Sequence, residues 1–251
     1  MDDVDHSGDV RRARFIDANL AGARFIRCDL SGAVMRAVDV DGAEIDAPWL
    51  TESDGRLLVN DVDVAPYVEA ELNLRFPGRD QRRSDRPDDL QNAWAAVEAA
   101  WTSTVKRAAS MPEGTVEISV DGEWSFAQTL RHLVMATDTW LRRAVLEIEE
   151  PYHPIGLPHA EYETDGYDLS VFTADHPDYT EVTAARTDRM TMVRDFLATT
   201  TSRQLAEPRR SPWAPDHRET VLSCVHTILN EEWEHLRYAL RDLDKIKEGG
   251  G

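Results

Sequence analysis

The chain has 251 residues, with 28 Lys and Arg against 47 Asp and Glu, a formal net charge of −19, and 41% hydrophobic residues. That is apolar material enough for one large domain or two modest ones. The acidity excludes a general binder of nucleic-acid phosphates or of anionic membranes, since both rest on Lys and Arg. No apolar run approaches the roughly 20 residues that span a bilayer. Met1-Asp2-Asp3-Val4-Asp5 lacks the apolar segment of a secretory signal. The expectation is a soluble cytoplasmic protein. Residues 1–60 hold 12 acidic and 7 basic side chains, and the other 191 residues hold 35 and 21. The charge is thus spread evenly and reads as solubility, not as a DNA-like decoy. Two cysteines, Cys28 and Cys224, make no disulfide framework and read as small buried residues.

A repeat with a period of five runs from Ala13 to Ala47. Its large apolar positions are Phe15, Leu20, Phe25, Leu30, Met35, Val40 and Ile45, with a small or compact residue two before each. This resembles the pentapeptide-repeat family. The resemblance implies a short right-handed β-helix with the seven large residues buried. Residues 10–50 form this segment, after a flexible stretch at 1–9.

Gly55 to Val64 alternates apolar and polar residues around Asn60-Asp61 and predicts a hairpin or irregular strand pair. Tyr67 to Phe76 predicts a short helix. The charged, breaker-rich stretch from Pro77 to Pro87 is the best boundary in the chain, so 51–86 reads as a connecting region. Four long helices are expected over 87–247. The first spans about Asp88–Ser110, with Leu90, Trp94, Val97, Trp101 and Val105 on one stripe. A strand-like insert follows at Val116–Val120. The second helix starts at Ser125, with Gln128 completing a capping box, and runs to about Glu147. Pro151 to Pro177 is irregular, and a loop so long is more often functional than not. The third helix spans about Thr180–Ala198. A loop with Pro208, Pro212 and Pro215 precedes the fourth, about Glu219–Lys247, and residues 248–251 form a flexible tail. The expected fold is mainly α, a four-helix bundle preceded by the repeat segment.

Eight histidines are present, and His132, His226 and His235 lie within the helices. Glu231 and His235 are four apart, about 40° on a helical wheel, so they share a face. His226 lies about 140° from Glu231 and does not join them. The Leu stripe of the last helix points nearly opposite, so periodicity alone makes Glu231 and His235 solvated. On the second helix, however, the His132 face carries Gln128, Ala136 and Thr139 and no charge until Arg143. A solvated face usually carries Glu and Lys. An uncharged, small-residue face with one His suits the wall of a polar cavity.

With Gly122-Glu123-Trp124-Ser125-Phe126, Thr129-Leu130-Arg131-His132-Leu133 and Asn230-Glu231-Glu232-Trp233-Glu234-His235, the region 88–247 resembles the DinB/YfiT-like superfamily. Within it the chain resembles the mycothiol-dependent branch of maleylpyruvate isomerases and S-transferases. That branch carries Glu-x3-His on the last helix. The resemblance implies His132, Glu231 and His235 as ligands of a divalent metal, zinc in that branch, with mycothiol as thiol co-substrate. Two His and one Glu are a sound catalytic zinc set. It also implies thiol transfer to a small electrophilic substrate; Tyr238, which lies near the same helix face, is a candidate hydrogen-bond donor to a ligand or the substrate. The segment His153–His159 is placed to roof the site, and Trp124 and Trp233 to wall it. The rival reading is a non-catalytic metal-binding or protein-interaction protein. The residues leave monomer and dimer equally open.

Overall fold

The computed structural model describes residues 8–51, 55–159, 162–214 and 216–249. Most of the expected flexible start, His6, Pro215 and the last two glycines lie outside these residues. Two compact units divide the chain, Met1–Asp46 and Ala47–Gly251.

The first unit is built of turns. Backbone hydrogen bonds close Val10–Ala13, Leu20–Ala23, Leu30–Ala33 and Val40–Ala43 at 2.9–3.0 Å. The third residue of each turn has a positive φ: Arg12, Gly22, Gly32 and Gly42. That is the type II signature, which glycine suits best. Just ahead of each turn, Asp9, Asn19, Asp29 and Asp39 accept the backbone N–H two residues on. The structural period is therefore ten, and each pair of five-residue blocks differs in its turn. A second set of positive φ values, at Asp17, Arg27 and Ala37, marks the alternate corners. No strand forms among the described residues of this unit, and the expected burial is absent: Phe15 is 66% exposed and Phe25 58%. Fewer than two coils of chain give each block no complete layer above or below to bury against or to pair with. Cys28 is exposed here, against expectation, whereas Cys224 is buried.

The second unit begins with a small hairpin, β1 (Leu58–Val59) and β2 (Val62–Asp63). Asn60 and Asp61 both have positive φ, as a type I′ turn demands. Helix α1 (Ala65–Arg75) follows, then α2 (Pro87–Ala109). Between them, Pro77–Pro87 does not separate two units. Arg79 and Arg82 are buried and grip Glu69 of α1 at 2.9 and 2.8 Å. Arg82 also donates to Asn230, 148 residues on. A composition that reads as a linker is folded in because its two arginines find carboxylate partners.

Val116–Val120 forms no strand; Thr115–Glu117 is a single 3-10 turn. Helix α3 (Phe126–Thr137) opens with the Ser125–Gln128 capping box. At Asp138 the winding loosens into a π-helix that runs to Val145. Helix α4 (Tyr179–Thr199) is capped by Asp178 and Glu181. The loop ahead of the last helix holds structure that its prolines conceal: a short α5 (Ser202–Leu205) and a hairpin of β3 (Pro208–Arg210) with β4 (Arg218–Thr220). Helix α6 (Val221–Gly249) continues two residues beyond the expected end.

The four long helices pack as a closed ring, α2 on α4 and α6, and α3 on the same two. Leu90, Trp94, Val97 and Trp101 of α2 meet Leu130 and Val134 of α3, Val182 and Val193 of α4, and Ile228, Leu229 and Leu236 of α6. No described helix is long and apolar enough to cross a membrane. The ring sets α3 beside α6, and that contact brings residues about 100 positions apart into one site.

Candidate metal centre

His132 leaves α3 toward α6, where Glu231 and His235 sit one turn apart. The Nε2 atom of His132 and the Nδ1 atom of His235 each lie 3.4 Å from Oε2 of Glu231. One ligand atom from each of the three residues falls within 4.8 Å of the others. The two imidazoles stack, with centroids 4.8 Å apart and planes at 25°. Trp124 lies against both rings, 4.5 Å from His132 and 6.2 Å from His235. The pair that periodicity makes solvated is therefore partly enclosed, because α3 and the segment before it pack on the second face of α6.

Backbone carbonyls set the ring tautomers. Nδ1 of His132 is 3.0 Å from the carbonyl oxygen of Leu157, and Nδ1 of His235 is 2.9 Å from that of Glu231. A carbonyl only accepts, so each Nδ1 acts as a donor, and Nε2 of His132 is left as the nitrogen turned to Glu231. This is the outer-shell pattern that orients metal-ligating histidines. Burial works against ionisation of Glu231, but the hydrogen bond from His132 and the nearby His235 outweigh it and hold the carboxyl at about 2. Burial, helped by the neighbouring His132, presses His235 down to about 4. Near neutral pH the site thus offers one carboxylate and an unprotonated His235, the forms in which these groups bind metals. The donors fit a divalent cation of the zinc kind.

A model of the DinB superfamily matches residues 66–239, and eight copies of the pentapeptide repeat match 11–46. The chain belongs to the DinB superfamily. No curated protein and no solved structure matches it. In this DinB chain the long loop 151–178 is anchored over the site. Leu157 donates its N–H to the Arg131 carbonyl, next to its own contact with His132. Arg131 reaches across to the carbonyls of Ile155 and Ala174, at 2.9 and 2.6 Å, and so ties the two ends of the loop together. Asp138, fully buried, accepts from Arg189 at 2.6 Å and from the backbone N–H of His153 at 2.8 Å.

The other singled-out residues divide. Tyr238 lies edge-on to His235 at 5.8 Å. Guanidinium groups of Arg237 and Arg241 lie 4.5 and 5.3 Å from its ring. Trp233 does not wall the site; it is buried against Phe76. His226 is held away by the Ser84 carbonyl at 2.9 Å. His153 is taken up by its own loop, its Nδ1 accepting from Ile155. His159 packs on Tyr162 and Trp213 at 5.5 and 5.7 Å. Arg131, Asp138 and the buried Arg186–Glu232 pair escaped the sequence reading. No local signal marked them, because each stands beside a polar residue in the chain: Arg131 beside His132, Asp138 between Thr137 and Thr139, Arg186 before Thr187, and Glu232 after Glu231.

Proposed function

We propose that this DinB protein binds one divalent cation through His132, Glu231 and His235 and uses it to activate a low-molecular-weight thiol for transfer to a small electrophile. The observation that carries the reading is the cluster itself: one ligand atom from each of His132, Glu231 and His235 lies within 4.8 Å of the others, and the Leu157 carbonyl holds the His132 ring so that its Nε2 faces Glu231. A zinc-type ion there supplies a Lewis-acid charge that lowers the pKa of a thiol brought to it. Mycothiol is the thiol that the likeness to the mycothiol-dependent branch favours.

The chain's own residues do the rest. Leu157 and the Glu231 carbonyl hold the two rings in register. Trp124 closes one side and the clamped loop limits entry of water, which strengthens every charge interaction inside. We assign Tyr238 the donation of a hydrogen bond to the incoming substrate. In the overall reaction the thiol gives up its proton, sulfur bonds to the electrophilic carbon, and the leaving group departs with its electron pair.

Metal analysis of the purified protein tests the first half. One equivalent of metal is expected, falling below about a tenth in His132→Ala and His235→Ala, since each removes one of three ligands. A protein that binds no metal ends the proposal. Turnover of a haloarene with mycothiol, glutathione and cysteine tests the second half. Full metal occupancy with no turnover of any thiol leaves the non-catalytic metal-binding reading standing. The exposed apolar residues of the repeat, such as Phe15 and Phe25, favour protein interaction as that unit's role.

A further inference from the structure

Leu157 is bonded through both of its backbone groups to two successive residues of α3. Its N–H donates to the Arg131 carbonyl at 3.2 Å, and its own carbonyl accepts from Nδ1 of His132 at 3.0 Å. The position of one loop carbonyl therefore governs how the His132 ring is turned toward Glu231.

Several contacts fix that carbonyl. Arg131 is buried and directs Nε, Nη1 and Nη2 to the carbonyls of Ile155, Asp175 and Ala174, at 2.9, 3.3 and 2.6 Å. The N–H of Ala174 closes the same neck on the Pro154 carbonyl at 3.3 Å. Between Ile155 and Leu157, Gly156 packs against α3 so closely that a Cβ would stand 2.9 Å from the Phe172 ring and 3.2 Å from Cβ of Met135. An added methyl would displace Phe172 or push Gly156, and with it Leu157, away from α3. The outer-shell partner of a ligating histidine tunes its hold on a metal. Such a coupling is reciprocal: whatever docking of the loop adds to metal affinity, the metal adds to docking of the loop.

We propose that Arg131 is a positioning residue for the metal centre: by closing the neck of the loop it fixes the Leu157 carbonyl on His132, so that metal binding and docking of residues 153–157 stabilise each other. The inference rests on the metal-binding half of the function proposed above and is independent of the thiol and of the electrophile.

Zinc affinity of the full chain is measured by competition with a chromophoric chelator, and exchange of the Leu157 amide by NMR with and without zinc. In the native chain zinc should slow that exchange. Arg131→Met keeps the apolar stem and removes the donors. Its zinc affinity should fall about tenfold, the lower end of what losing an outer-shell partner costs, and its Leu157 amide should exchange faster. The d–d absorption of the cobalt-loaded variant should differ from that of the native chain, because a turned His132 ring alters the coordination geometry, which a loss of stability alone does not. Arg131→Lys, which keeps one donor group for the loop, should recover part of the affinity. Gly156→Ala reaches the same carbonyl with Arg131 intact and should also weaken zinc. Val97→Ala, a buried change on α2, which carries no ligand, should leave zinc affinity unchanged. Native zinc affinity in both Arg131→Met and Gly156→Ala overturns the inference and leaves the metal centre standing. An equal loss in Val97→Ala, or exchange at Leu157 that zinc does not slow, overturns it as well. A native chain that binds no zinc overturns both the inference and the metal centre.

Discussion

The repeat unit and the helical unit both carry large apolar residues at regular spacing, and only the second buries them. In residues 8–46 the backbone hydrogen bonds are turn closures three residues apart, reinforced by side chains two residues away. In the helical unit Arg82 reaches Asn230 and Arg107 reaches Asp244, across more than a hundred residues. Periodicity decides which residues share a face. Burial needs a second face to meet it, and a ring of four long helices provides one where short turns do not.

The largest effect that should separate the units is at Asp138. Asp138→Ala leaves Arg189 buried beside an empty space and should cost about 3–5 kcal/mol. Urea unfolding followed by helical circular dichroism measures it, and proteolysis within 151–178 should rise together with the loss. Next is Leu229→Ala, fully buried in the ring, at about 2–5 kcal/mol.

Glu69 comes third and gives a pH signature. Burial pushes its carboxyl up, but the hydrogen bonds from Arg82 and Arg79 outweigh this and hold it at about 2, below its ordinary 4.5. Its contribution is therefore complete above pH 4.5 and lost as pH falls toward 2. Glu69→Gln should cost about 1–2 kcal/mol at neutral pH, less than a fully buried pair because Arg79 keeps Asn73 and Glu234. The urea midpoint of the variant should fall less steeply between pH 4.5 and 2.5 than that of the native chain.

The small effects belong to the repeat. Arg12 holds the left-handed position that glycine holds in the three later turns, so Arg12→Gly should stabilise its turn by about 1 kcal/mol or less. Slower exchange of the Ala13 amide would show it. Phe25→Ala should change stability by no more than about 0.5 kcal/mol. A loss above about 1 kcal/mol would break the comparison, because it would mean that the repeat's apolar face is covered in solution.

The sequence made the helices legible within a residue or two, because capping residues and the apolar stripe are local signals. The Ser125–Gln128 box starts α3 where the pattern places it. The triad was legible only in part. Four-residue spacing put Glu231 and His235 on one face, but nothing local tells which face of a 29-residue helix meets a neighbour. The hairpin at 208–220 was hidden by prolines that also suit a loop, and the tenfold period of the repeat by the more obvious fivefold one. That longer period stood in the spacing of Asn19, Asp29 and Asp39 ahead of Gly22, Gly32 and Gly42.

By itself the sequence determined where the helices begin and end, that the chain holds two kinds of structure, and which His and Glu could serve a metal. Those follow from backbone preference and from spacing along one element. Tertiary structure alone decided that His132 meets Glu231, that Leu157 orients the ring of His132, that Arg79 and Arg82 fold a charged stretch inward, and that Arg186 is buried against Glu232. Each of these depends on which surface lies opposite, and that is set by the packing of the whole ring.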